Sequence, residues 1–73
     1  MCAYQIERDG VVLAVIGGLA VVPGDGLYTA ARKWAELSGL RLVEFQKQHA
    51  GGYSVAILED VNGIRQTVRI RPV

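Results

Sequence analysis

The stretch Asp60-Val61-Asn62-Gly63-Ile64-Arg65 decides how the second half of this chain is read. Asn-Gly between two alternating apolar runs is the strongest short-range signal for a two-residue hairpin turn, because type I′ geometry needs positive φ at both central residues. A turn centred on Asn62-Gly63 sets Val61 opposite Ile64, Ile57 opposite Val68 and Val55 opposite Ile70 on one face, with Asp60 opposite Arg65 beside the turn. Working backward, a three-residue loop of His49, Ala50 and Gly51, with Gly51 left-handed, sets Phe45 opposite Val55, Val43 opposite Ile57 and Arg41 opposite Glu59. A two-residue loop sets Glu44 and Gln46 against those apolar residues instead. Side chains alternate along a strand, so a one-residue slip exchanges the faces, and burial selects the longer loop.

The predicted core face of this meander is Val43, Phe45, Val55, Ile57, Val61, Ile64, Val68 and Ile70. The predicted reverse face carries Leu40, Leu42, Glu44 and Gln46, then Ser54, Ala56, Leu58 and Asp60, then Arg65, Thr67, Arg69 and Arg71.

Upstream, Ala3 to Arg8 alternate weakly, with Tyr4 and Ile6 on one side, and Asp9-Gly10 signals a second two-residue hairpin turn. That turn puts Ile6 opposite Leu13 and Tyr4 opposite Val15, while Val12, Ala14 and Ile16 make the second strand apolar on both sides. Gly17-Gly18 either turns the chain into a short third strand or kinks one long strand; the kink is the preferred reading.

Pro23-Gly24-Asp25-Gly26 ends the strand, and Asp25 is the expected N-cap of a helix from Leu27 to Ser38. Leu27, Ala30, Ala31, Trp34 and Leu37 recur at helical spacing, with Trp34 as the expected central plug. Tyr28, Arg32 and Glu36 follow one another on the outer side. Gly39 stands where a C′ glycine stops a helix, with Leu40 as its hydrophobic contact. The fold class is therefore α+β: one helix on a mainly antiparallel sheet, in chain order β-β-(β)-α-β-β-β, as a single domain over residues 1–73.

Composition bounds the function. The chain has 73 residues, 51% of them hydrophobic and 21% charged, which suits a globular domain near the lower size limit for a self-sufficient core. A single cysteine forms no internal disulfide, and with a single histidine it builds no Cys/His metal site, so a second subunit is the expected support. Cys2 suits a reducing compartment. The start lacks a basic region and an apolar signal segment, and the apolar run from Val11 to Val22 is shorter than the ~20 residues a bilayer-spanning helix needs. Cytoplasmic location with no membrane partner is expected. The net charge of +1 gives no overall attraction to nucleic acid.

Leu42 opposite Leu58, with Leu40 nearby, forms a small apolar patch with a basic margin, read as a homodimer or partner interface, or as a surface covered by Leu19 to Val22 of the same chain. Arg65, Arg69 and Arg71 recur at alternate residues with Lys47 near them, a row that suits phosphates, although the same face lacks an aromatic platform. Its plain counterpart is a solvated edge paired to Asp60 and Glu44. His49 reads as an exposed loop residue, and Cys2 has no cation or helix N-terminus to activate it. Gly24-Asp25-Gly26 reads as turn and cap, since Asp25 repels an anion there.

No cofactor is implied. Three functions follow in order: a small non-enzymatic macromolecular interaction protein, homodimeric and with an unidentified protein partner; a nucleic-acid-binding protein using the arginine row; and a small-ligand or catalytic site between subunits near Tyr28, His49 or Tyr53.

Overall fold

A computed structural model describes residues 2–19, 26–49 and 52–73, and confirms the α+β class. Five strands, β1 (Cys2–Arg8), β2 (Val11–Leu19), β3 (Arg41–His49), β4 (Tyr53–Glu59) and β5 (Arg65–Pro72), form one antiparallel sheet in the order β2-β1-β5-β4-β3. The helix α1 (Gly26–Ser38) connects β2 at one edge to β3 at the other, and touches all five strands on a single face. The opposite face has no covering element among the described residues.

The first hairpin turns as expected. Asp9 and Gly10 have φ of 51° and 80°, and Arg8 pairs with Val11, which is the two-residue I′ geometry. Beyond Glu7 opposite Val12 the register shifts by one, because Leu13 is an extra residue in β2. Ile6 then faces Ala14 and Tyr4 faces Ile16, in place of Leu13 and Val15. β2 runs through Gly17-Gly18 as one irregular strand, in agreement with the kink. Asp25 lies outside the described residues. At the other end of the helix, Leu40 N–H donates to the Ala35 carbonyl at 2.8 Å and Gly39, at φ 69°, donates to the Glu36 carbonyl at 3.4 Å. This double closure is the Schellman cap that the Gly39-Leu40 pair led us to expect.

The second hairpin turns differently, and the difference exchanges the faces of β4. Gly63 has φ 80° but Asn62 has no positive φ, so the turn is not type I′. Asp60 and Ile64 close a three-residue loop: Gly63 N–H donates to the Asp60 carbonyl at 3.1 Å and Asp60 N–H to the Ile64 carbonyl at 3.0 Å. The Asp60 carboxylate also accepts from the N–H groups of Asn62 and Ile64, at 2.8 and 3.0 Å. This is a type I turn with aspartate in first position and a left-handed glycine after it, the usual three-residue hairpin loop. Arg65 consequently faces Glu59 rather than Asp60, and Ser54, Ala56 and Leu58 turn toward the helix opposite Ile70, Val68 and Gln66.

The expected core is corrected accordingly. Val68 and Ile70 are buried as expected, but Ala56 and Leu58 replace Val55 and Ile57 beside them. Val61 and Ile64, at the hairpin tip, are 94% and 65% exposed. On β3, Arg41 faces Glu59 and Leu42 faces Leu58 as expected; a shift at Val43 then brings Phe45 opposite Ala56, and Val43 stays exposed. The β3-β4 loop also has three residues, but it is displaced by one: His49 pairs with Tyr53, and the left-handed glycine is Gly52. Gly51 lies outside the described residues.

The helix is rotated relative to its expected stripe. Ala30, Ala31 and Ala35 are buried at its centre, Leu27 and Trp34 flank them, and Leu37 is exposed. Trp34 is therefore a border residue rather than the plug. Small side chains at the contact let the helix lie close over Tyr4, Ile6, Leu58, Val68 and Ile70.

Candidate functional site: the uncovered face of the sheet

The register places one row across all five strands of the uncovered face: Val12 faces Glu7, Glu7 faces Arg69, Arg69 faces Val55, and Val55 faces Gln46. A neighbouring row sets Val15 against Gln5 and Gln5 against Arg71. Thr67 faces Ile57 and Ile57 faces Glu44, while Arg65 and Arg41 flank Glu59. Charged groups thus alternate with a half-buried apolar strip of Tyr53, Val55 and Ile57 that the helix cannot reach.

Most of the arginines on this face already have acids. Arg41 Nη2 donates to Glu59 Oε1 at 2.7 Å and Arg65 Nε to Glu59 Oε2 at 3.1 Å. The bond from Arg65, and then that from Arg41, hold the Glu59 carboxyl below the usual glutamate value of 4.5. Arg71 Nη2 lies 3.9 Å from Glu7 Oε2, and the same carboxylate oxygen accepts from Gln5 Nε2 at 3.1 Å. Arg69 differs from the others. Among the described residues it has no ion pair, and its guanidinium carbon lies 4.9 Å from the centre of the Tyr53 ring. A cation stacked on an aromatic ring, beside Val55 and near the middle of the sheet, is the most distinctive feature of the face.

The residues singled out from sequence separate in space. Leu58 is completely buried under the helix, and Leu40 and Leu42 pack against the same core. Their placement on an exposed reverse face is therefore overturned: the one-residue change at Asp60-Gly63 turned Leu58 inward, and the chain's own helix covers the leucines. Arg65, Arg69 and Arg71 do share the uncovered face. Lys47 is exposed on edge strand β3, with β4 between it and the arginines. The expected pairing of this row with Asp60 gives way to Glu59 and Glu7.

Tyr53 was missed as a member of the site, because the two-residue turn put Val55, and hence Tyr53, on the helix side. The aspartate three residues before Gly63 was the available signal. Its side chain can hold the two amides of a type I turn, which a bare Asn-Gly does not require.

A concavity lies on the helix side. An open groove of about 700 Å³ runs between α1 and β3, bordered by Tyr28, Arg32, Leu40, Val43 and Phe45. The rings of Tyr28 and Phe45 meet edge to face, with centroids 5.3 Å apart, and the Arg32 guanidinium carbon lies 5.9 Å from the Tyr28 ring centre. Tyr28 and Tyr53 therefore lie on opposite sides of the sheet and do not converge on one pocket. Among the described residues no three His, Cys, Asp or Glu side chains gather as metal ligands, and no helix is long and apolar enough to cross a membrane. Comparison with protein-family models, with curated proteins and with solved structures found no match.

Proposed function

We propose that this chain is a small non-enzymatic interaction protein, homodimeric, that engages a protein partner through the uncovered face of its sheet. The observation that carries this reading is Arg69 stacked on Tyr53 beside Val55 and Ile57. Tyrosine and arginine are the side chains most enriched among residues that dominate binding energy, and an apolar strip beside them supplies area. Arg65 is hydrogen-bonded to Glu59 and Arg71 lies 3.9 Å from Glu7, so the face is nearly balanced in charge. Among the described residues, Arg69 is the arginine of this face without an ion pair, and it is the group we assign to an acidic side chain of the partner.

Capture from a lysate of the source organism tests this, with the wild-type chain beside Arg69→Ala, Tyr53→Ala and the helix-side control Lys33→Ala. The expected outcome is a protein retained by the wild type and by Lys33→Ala but lost with either face variant; loss of a dominant contact costs about 2 kcal/mol or more, some thirtyfold in affinity. Identical capture by all four chains overturns the reading.

The nucleic-acid alternative gains one observation, since Tyr53 puts an aromatic ring on the arginine face after all. Titration with a single-stranded oligonucleotide distinguishes it. Affinity that falls steeply with salt, with a slope made shallower by Arg69→Ala, favours nucleic acid over protein. No binding at low salt removes it.

A further inference from the structure

The two edges of this sheet are built in opposite ways. β3 carries Arg41, Glu44 and Lys47, charged side chains of the kind by which exposed edges avoid pairing with other chains. β2 reads Val-Val-Leu-Ala-Val-Ile-Gly-Gly-Leu and carries no charged side chain. Val11, Val12 and Val15 are exposed by 60%, 50% and 57%, and among the described residues no strand pairs with the outer side of β2.

We propose that β2 is the place where a second copy of this chain adds, strand against strand and antiparallel about a two-fold axis, so that two five-stranded sheets become one. This rests on the reading of the chain as a self-associating interaction protein, but it uses a different surface from Arg69 and Tyr53.

A two-fold axis sets a strand against itself, and that requirement selects the occupant. Centred on Glu44, a self-paired β3 brings that carboxylate against its own copy and Arg41 against the partner's Lys47, like charge on like charge. Self-pairing of β2 in any register brings together only Val, Leu, Ala, Ile and Gly. An uncharged edge offers a charged partner nothing to pair with, whereas its own copy matches it in backbone hydrogen bonding and in side-chain character. The extra residue at Leu13 and the irregularity at Gly17-Gly18 limit the unbroken register to Ala14–Ile16. The axis therefore passes at Val15, which meets the partner's Val15 on the uncovered face. Pairing there joins the two uncovered faces, with Val12 and Val15 of both copies between two Arg69-Tyr53 sites, so one partner can be gripped twice.

Size-exclusion chromatography with light scattering on the full chain, from low to high micromolar concentration, tests the proposal. The expected result is the mass of two chains for the wild type and for Val61→Lys, and of one chain for Val15→Lys, whose far-ultraviolet dichroism and thermal midpoint stay those of a folded protein. A wild type with the mass of one chain throughout, or a dimer that Val15→Lys leaves intact, overturns it. If Val15→Lys does not fold, amide exchange on the wild type decides: protection of Ala14–Ile16 that rises with protein concentration supports the pairing, and concentration-independent protection overturns it. Arg69→Ala should keep the mass of two chains. Failure of self-pairing is thus separated from failure of the partner site.

Discussion

The N–H of Ile64 donates to the Asp60 carboxylate at 3.0 Å, while the N–H of Asp60 donates to the Ile64 carbonyl at the same distance. This reciprocal pair ends β4 one residue earlier than a bare Asn-Gly turn does. Because side chains alternate, that one residue determines which of Ile57 and Leu58 enters the core. Leu58, opposite Leu42 on the face beneath Ala30, Ala31 and Ala35, is the one chosen.

The consequence for stability is direct. Leu58→Ala should destabilise the fold by roughly 2–5 kcal/mol, the range for emptying a fully buried leucine site. Ile64→Ala should stay within about 0.5 kcal/mol, as surface substitutions do. Urea denaturation of both variants checks this, and similar midpoints would refute the face assignment.

Gly26 opens the helix with the Tyr4 ring pressed against it. A Cβ built at this position meets the Tyr4 hydroxyl at clashing distance and lies 2.7 Å from Tyr4 Cζ. Alanine is otherwise the better helix former by about 1 kcal/mol. Here Gly26→Ala should instead destabilise by roughly 1–3 kcal/mol through overpacking, lowering the thermal midpoint. A raised midpoint would show that the Tyr4 ring has room to move.

Glu59, held between Arg65 and Arg41, makes the fold sensitive to acid. Its folded pKa lies below the ordinary 4.5, so its stabilising contribution is fully present above that value and is lost as pH falls through the depressed folded value. Thermal midpoints of the wild type and Glu59→Gln should therefore differ at neutral pH and converge below about pH 4. A gap of constant size across that range would contradict the assignment.

Much of this architecture was legible locally. Asp9-Gly10 sets its own turn because both residues tolerate positive φ, and Gly39-Leu40 closes the helix because only the last turn's carbonyls are involved. Leu42 faces Leu58 in either account, because the register shifts between Gln46 and His49 and at Val43 offset the displaced β3-β4 loop. Asp60-Val61-Asn62-Gly63 satisfies two turn chemistries at once, and only one of them leaves Leu58 beneath the helix. The arginine row was readable from its period of two, but its neighbours were not.

The sequence by itself determined the α+β class, the helix and its stop, the hairpin at Asp9-Gly10 and the alternation of Arg65, Arg69 and Arg71. Tertiary structure decided that β1 pairs with β5, so that Glu7 meets Arg69 and Arg71. It also decided that Leu58 is buried with Leu40 and Leu42 packed partly buried against the same core, and that Tyr53 lies beneath Arg69. The division has a physical cause. Caps and turns are fixed by hydrogen bonds a few residues apart, whereas the choice of buried face is made by packing against a helix far away in the chain.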